Sequence, residues 1–396
     1  MTRDEERVRE ALREAAVPQE GQAEERGWRV VRAAYAERDP APRRRRSAPR
    51  GVLAVAAAGL VAAFALTPAG ADVREWIADA FEPGAENARP MTSLPAPGSL
   101  LVEAQSGTWI VRDDGSRRRL GSYGEASWSP RGINVAVAAG DEVRAVSPLG
   151  VEHWAQPTSH RVRAVAWSPG DGYRVAYVSG SELRVIAGDG TGDGLAAPDV
   201  GSTAIAWRPA APTPHQLAYV DADRRVALMD TDSREVLWRS GKLATSVSLL
   251  EWSDDGERLL VVADGFALLL DDEGAAAVKG PVAGTTSAAA LSPDGDHLAV
   301  VRSDRRTGTE VALVPGLPGD RERVLYETGA AAGDVSLGPP QFSPDGKWLL
   351  VPWPRAGQWL FIRVADRRQV AVADVARLFG LSRPGSPFPS VAGWCC

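Results

Sequence analysis

Phe342-Ser343-Pro344-Asp345-Gly346 is one copy of a phrase that recurs along the chain. Earlier copies read Trp128-Ser129-Pro130-Arg131-Gly132, Trp167-Ser168-Pro169-Gly170-Asp171-Gly172 and Trp207-Arg208-Pro209. Two more read Trp252-Ser253-Asp254-Asp255-Gly256 and Leu291-Ser292-Pro293-Asp294-Gly295. The copies lie roughly 40 residues apart, the period of a four-stranded propeller blade. A large apolar residue ends one strand and packs between neighbouring sheets. Pro then presets φ, Asp bonds back to the backbone, and Gly takes positive φ without strain, so the chain makes a tight turn. The next strand is expected to alternate with period two, as in Arg174-Val175-Ala176-Tyr177-Val178 and His297-Leu298-Ala299-Val300-Val301.

The ends set the blade number. Ser99–Glu103, Thr108–Val111 and Arg117–Leu120 look like the last three strands of a blade without its first. Val391-Ala392-Gly393-Trp394-Cys395-Cys396 mimics Val165-Ala166-Trp167-Ser168 and is expected to supply the missing inner strand. Such closure leaves no sheet edge open. The expected fold is therefore all-β, a seven-bladed β-propeller over residues 98–396, closed by the C-terminal strand. Six blades is the alternative, should the tail not join the ring.

The Trp-Ser-Pro-Asp-Gly-x-x-Leu-Ala-Val pattern resembles the WD-like repeats of TolB-type β-propellers. The resemblance covers about residues 98–396 in six copies. It implies a propeller fold, and such folds host binding, scaffolding and enzymatic roles alike.

Apolar residues make up 44% of the 396-residue chain and charged residues 24%, a globular composition. The net charge of −6 gives no reason to expect nucleic acid as a partner of the propeller. The excess of Arg over Lys, with abundant Ala and Gly, reads as the coding bias of a GC-rich bacterium. Cys395 and Cys396 are the only cysteines, so no disulfide framework is expected. In a strand their side chains point to opposite faces. They are expected to be two small apolar residues of the closing strand, with a redox or intermolecular role as the alternative.

Residues 1–42 are dense in charge of both signs and read as a cytoplasmic helical segment. One amphipathic helix is expected over Asp4–Ala16 and a second over Glu24–Glu37. Arg43-Arg44-Arg45-Arg46 and Arg50 then precede an apolar run from Gly51. Residues 51–71 reach about the 20 residues that cross a bilayer. The arginines keep their side in the cytoplasm. The chain is thus expected to be a single-pass protein of the cell membrane, with its propeller outside the cytoplasm. A signal peptide cleaved after Ala71 and a buried core helix are the alternatives. Residues 72–97 read as a juxtamembrane helix, with Val73, Trp76, Ile77, Ala80 and Phe81 on one face, followed by a linker.

Catalytic and metal signatures are sparse. His153, His160, His215 and His297 share no metal-site spacing, and no zinc, nucleophile-elbow or phosphate-loop motif occurs. Asp189, Asp193 and Gly194 suit positions 1, 5 and 6 of a calcium loop, but the twelfth position is Val200. No cofactor, no metal and no enzyme activity are expected. Binding is expected on the loops between second and third strands, where Pro352-Trp353-Pro354-Arg355-Ala356-Gly357 stands out. Trp353, Arg355 and Trp359 are the candidate binding residues, combining aromatic area with a planar cation. The expected function is a membrane-anchored module that binds or senses a protein or ligand. Its plan resembles membrane-bound anti-sigma regulators, with a cytoplasmic partner for residues 1–42. The alternatives are a TolB-like cell-envelope scaffold and a propeller hydrolase or lyase with carboxylates or histidines converging at the channel mouth.

Overall fold

The structure is a computed structural model. It describes residue 91 and residues 93–396, except 171–172, 210–214, 277–284, 305–307, 317–320, 329–335 and 382–385. The expected cytoplasmic segment (1–42), the expected span (51–71) and the juxtamembrane helix lie outside the described residues. Among the described residues no helix is long and apolar enough to cross a membrane.

The chain folds strand by strand into seven antiparallel sheets. Blade 1 contains β1 (Ser99–Ala104), β2 (Gly107–Val111) and β3 (Arg117–Gly121). Blade 2 is β4 (Ala126–Trp128), β5 (Val135–Ala138), β6 (Glu142–Val146) and β7 (Glu152–Pro157). Blade 3 is β8 (Val162–Trp167), β9 (Arg174–Ser179), β10 (Glu182–Ala187) and β11 (Gly194–Ala197). Blade 4 is β12 (Val200–Trp207), β13 (Gln216–Asp221), β14 (Val226–Asp230) and β15 (Val236–Arg239). Blade 5 shows β16 (Val247–Trp252), β17 (Arg258–Ala263) and β18 (Phe266–Asp271) among the described residues. Blade 6 is β19 (Thr285–Leu291), β20 (His297–Asp304), β21 (Gly308–Pro315) and β22 (Arg323–Glu327). Blade 7 is β23 (Gln341–Phe342), β24 (Trp348–Trp353), β25 (Gln358–Arg363) and β26 (Gln369–Val372), followed by one short helix, α1 (Val375–Leu378).

The last strand, β27 (Ser390–Cys395), returns to blade 1. It pairs antiparallel with β1, placing Trp394 opposite Leu100 and Gly393 opposite Leu101. The tail is therefore the missing inner strand, and the ring has seven blades, not six. Trp394 packs edge-on to Phe361 of blade 7, with ring centres 5.8 Å apart. One short strand thus joins the two ends of the ring by backbone hydrogen bonds and by aromatic packing.

The core is divided among the blades. Seven apolar clusters fill the seven gaps between adjacent blades. Within β9, Val175 and Tyr177 face blade 2, whereas Ala176 and Val178 face blade 4. The second strand of a blade therefore buries both faces. This corrects the expected half-polar alternation: β9, β17 and β24 are continuous apolar runs because each is sandwiched between two neighbours.

The turn phrase works as a small hydrogen-bonded unit. Ser343 Oγ accepts the Trp348 N–H at 2.9 Å and donates to Asp345 Oδ1 at 2.7 Å. The Gly346 N–H donates to the Ser343 carbonyl at 2.8 Å, and Gly346 has a φ of 67°. Ser129, Ser168, Ser253 and Ser292 accept the equivalent N–H groups of Asn134, Arg174, Arg258 and His297. All five serines are buried.

Cys395 and Cys396 correct the sequence expectation. Their sulfurs are bonded to each other, with Cα atoms 3.7 Å apart. The strand ends at Cys395 and Cys396 turns to a φ of 53°, so the alternation of side chains no longer holds.

Candidate functional site

Antiparallel order puts the turns of each blade alternately on the two faces of the ring. Turns between first and second strands share a face with turns between third and fourth strands. The loops between second and third strands lie on the opposite face, with the connections between blades.

The structure places the expected binding residues on that second face but does not present them together. Trp353 is 3% exposed, in the gap between blades 6 and 7, edge-on to Tyr326 at 6.1 Å. Trp359 is 0% exposed, in the gap between blades 7 and 1, against Phe379 at 5.5 Å. Both indoles are core material because blade 7 is covered on both sides. Arg355 alone of the three is exposed, at the apex of the loop.

Two carboxylates converge on the same second face. Glu103 Oε1 accepts the Ala126 N–H at 2.7 Å, which ties blade 1 to the start of β4. Burial, and then the charge of Glu125, push the Glu103 carboxyl up to about 8, while the Ala126 N–H opposes the shift. Burial also raises Glu125. Glu125 shares the lining of a cavity of ≈ 360 Å³ with Tyr123, Arg161 and Arg163. Glu103 is not among the residues expected from the sequence to form a site. Its signal was a lone acid closing the apolar run Ser99-Leu100-Leu101-Val102. A third carboxylate, Glu251, braces blade 5 to blade 6 by accepting the Leu291 N–H at 2.9 Å. Burial raises it to about 7.

The calcium reading loses its acceptors. Asp193 Oδ1 accepts a hydrogen bond from the Tyr177 hydroxyl at 2.6 Å, and Oδ2 pairs with Arg184 at 2.7 Å. Asp189 Oδ1 accepts the N–H and hydroxyl of Thr191. Among the described residues no group of three or more His, Cys, Asp or Glu is placed to hold a metal.

The first face, carrying the Ser-Pro-Asp-Gly turns, is chemically divided. One position can be compared around the ring: the residue after the turn glycine, just before the N–H held by the buried serine. It is Ile133 in blade 2 and Tyr173 in blade 3, but Glu257, Asp296 and Lys347 in blades 5, 6 and 7. Ile133 is 55% and Tyr173 56% exposed. A second position, in the turns between third and fourth strands, sets blade 2 apart from blade 5, with Asp189 at the equivalent place in blade 3. Ser147 Oγ accepts the Leu149 and Val151 N–H groups, as Asp271 Oδ1 accepts those of Glu273 and Ala275. So exposed Leu149 in blade 2 occupies the place of exposed Glu273 in blade 5. Blades 2 and 3 therefore offer Ile133, Leu149, Val151 and Tyr173 to solvent. Blades 5 and 6 offer Asp254, Asp255, Glu257, Glu273, Asp294 and Asp296. The crowding is real: burial, then the charges of Asp255 and Asp294, raise Asp254.

Cations nearby are engaged between blades. Arg208 lies over the Trp252 ring at 5.2 Å and donates to the Gly256 carbonyl at 2.7 Å. Arg258 donates to the Gly295 carbonyl and pairs with Asp296 at 3.1 Å. On the outer rim, Trp154 Nε1 donates to the Gly188 carbonyl and Trp238 Nε1 to the Asp272 carbonyl, each at 2.8 Å.

No family model matches the chain, and no curated protein matches it. Among solved structures it is similar to the β-propeller domain of Myceliophteria thermophila Cps50 (Swd1), at 14% identity and a TM-score of 0.47, covering 71% of this chain and 98% of that one. It is also similar to the C-terminal WD40 domain of Sif2, at 13% identity and a TM-score of 0.53. That match covers 72% of this chain and 85% of the other. The likeness to the Sif2 domain supports a WD40-type propeller fold and nothing finer.

Proposed function

We propose that this chain is a protein-binding module, a propeller held at the cell membrane by residues 51–71 and exposed outside the cytoplasm. One observation carries the binding reading: equivalent turn positions hold exposed apolar side chains in blades 2 and 3 and charged ones in blades 5 to 7. The fold accepts either chemistry there, so folding does not require Ile133 or Tyr173. Exposed apolar clusters on a well-packed ring mark contact surfaces. Binding is favoured over catalysis because Glu103, which burial raises furthest among the described carboxylates, already uses one oxygen to hold the Ala126 N–H.

The test is site-specific photo-cross-linking in whole cells, with a photoreactive phenylalanine analogue replacing Ile133, and Arg355 on the opposite face as the second site. A discrete protein adduct from position 133 supports the reading, and adducts from neither position overturn it. The membrane part has its own test. A phosphatase reporter that works only outside the cytoplasm, fused after Cys396, should be active. An inactive reporter places the ring inside and removes that part.

The architecture also fits a scaffold akin to TolB, in which residues 1–42 are a mere leader, and a regulator in which they engage a cytoplasmic partner. Deleting 1–42 while keeping 43–396 separates the two. Scaffolding survives that deletion and regulation does not.

A further inference from the structure

Resting on that binding reading, we propose that the Ser-Pro-Asp-Gly face docks a protein segment that carries apolar side chains together with Lys or Arg. Its apolar residues sit on blades 2 and 3 and its cations reach blades 5 and 6.

The position after the turn glycine changes chemistry around the ring, and in the turn between third and fourth strands blade 2 differs in the same sense from blade 5, while blade 3 carries Asp189 there. After the turn glycine, Ile133 and Tyr173 give way to Glu257 and Asp296. In the other turn, Leu149 gives way to Glu273. Turns ordinarily use Asp, Asn, Ser and Gly because these satisfy the local backbone. Leu149, Val151 and Ile133 satisfy nothing locally, since the buried or turn serines already hold the N–H groups. Their exposure costs solvation that a partner's apolar surface would recover. The opposite arc is matched to cations. Asp254, Asp255 and Asp294 crowd together, while the arginines beside them point into carbonyls and carboxylates of the next blade. A cationic partner relieves that repulsion and gains register from it. A neutral apolar segment fits only the first arc, and an acidic one is repelled by the second.

The fold itself supplies safe substitutions for the test. Glu stands at the Ile133 position in blade 5 and Lys stands there in blade 7, so Ile133→Glu and Glu257→Lys place residues this turn already accommodates; Tyr173→Glu joins the first at a φ of 42°, and Asp296→Lys joins the second and gives up the Arg258 pair. Full-length protein in detergent is titrated with a fluorescent Leu/Lys amphipathic peptide, its Leu/Glu counterpart and a Ser/Lys control, followed by anisotropy. The Leu/Lys peptide should bind, with both others about tenfold or more weaker, and I133E/Y173E should weaken it about tenfold. E257K/D296K should weaken it and shift preference toward the Leu/Glu peptide, and added salt should weaken it further. Unchanged thermal midpoints confirm folding of both variants. Equal binding of the Leu/Lys and Leu/Glu peptides overturns the proposal, as does full affinity in either variant. Concentration-dependent self-association abolished by I133E/Y173E also overturns it, by assigning the face to a second copy. If position 133 still cross-links to a protein while the peptides show no preference, the binding reading stands and this partner chemistry falls. If neither position 133 nor position 355 cross-links to a protein, the binding reading itself is lost.

Discussion

At the scale of single residues, the buried serine that five of the turns share is the unexpected actor. Pro, Asp and Gly shape the turn, yet Ser343 Oγ both receives the Trp348 N–H and orients Asp345. Ser343→Ala leaves a buried N–H without a partner and should destabilise by about 1–3 kcal/mol, read as a lowered urea midpoint. Ser343→Thr keeps the oxygen and should lose less. Glu103 makes a pH prediction. Its carboxyl is raised from 4.5 to about 8 in the fold, so the folded state holds the proton more tightly than the unfolded chain. Its contribution is fully present below about pH 4.5 and is lost as pH rises toward 8. Unfolding midpoints should therefore fall as pH rises through that window. Glu103→Gln keeps an oxygen for the Ala126 N–H and should flatten that fall by up to about 5 kcal/mol. An unchanged pH slope would show that Glu103 is not the titrating group.

At the scale of elements, the closing strand decides the ring. β27 covers the inner edge of β1, and Trp394 wedges against Phe361 across the joint between blades 7 and 1. Trp394→Ala removes a large side chain that is 9% exposed. It should cost about 3–5 kcal/mol in urea unfolding, and hydrogen exchange should rise first in β1 and β27. Uniform acceleration over all blades would instead mean that the joint is no weaker than the rest. A parallel case is Arg208, which ties blade 4 to blade 5 through Trp252 and Gly256. Arg208 stands where other copies carry serine.

At the scale of the whole molecule, seven apolar clusters lie between blades rather than in one centre. Such a ring keeps its rim free, and its rim is where chemistry differs from blade to blade. The remaining prediction at this scale concerns attachment. Deleting residues 51–71 should move the chain from the membrane pellet to the supernatant. A wild-type chain that is already in the supernatant without detergent would end the anchoring proposal.

The repeat phrase carried the period and the strand layout of each blade, because turn chemistry and blade length are local properties, while the choice of seven blades over six was made by the pairing of β27 with β1. Folding decided what locality does not encode. Trp353 and Trp359 look like contact residues in a loop-rich string, but neighbouring blades cover both faces of β24 and β25, so the indoles became core. Ile133 and Leu149 look like ordinary apolar residues, yet turn apices point away from every sheet and left them in water. Burial is set by what packs against a residue from a distant part of the chain. Only the closed ring brought those distant parts together.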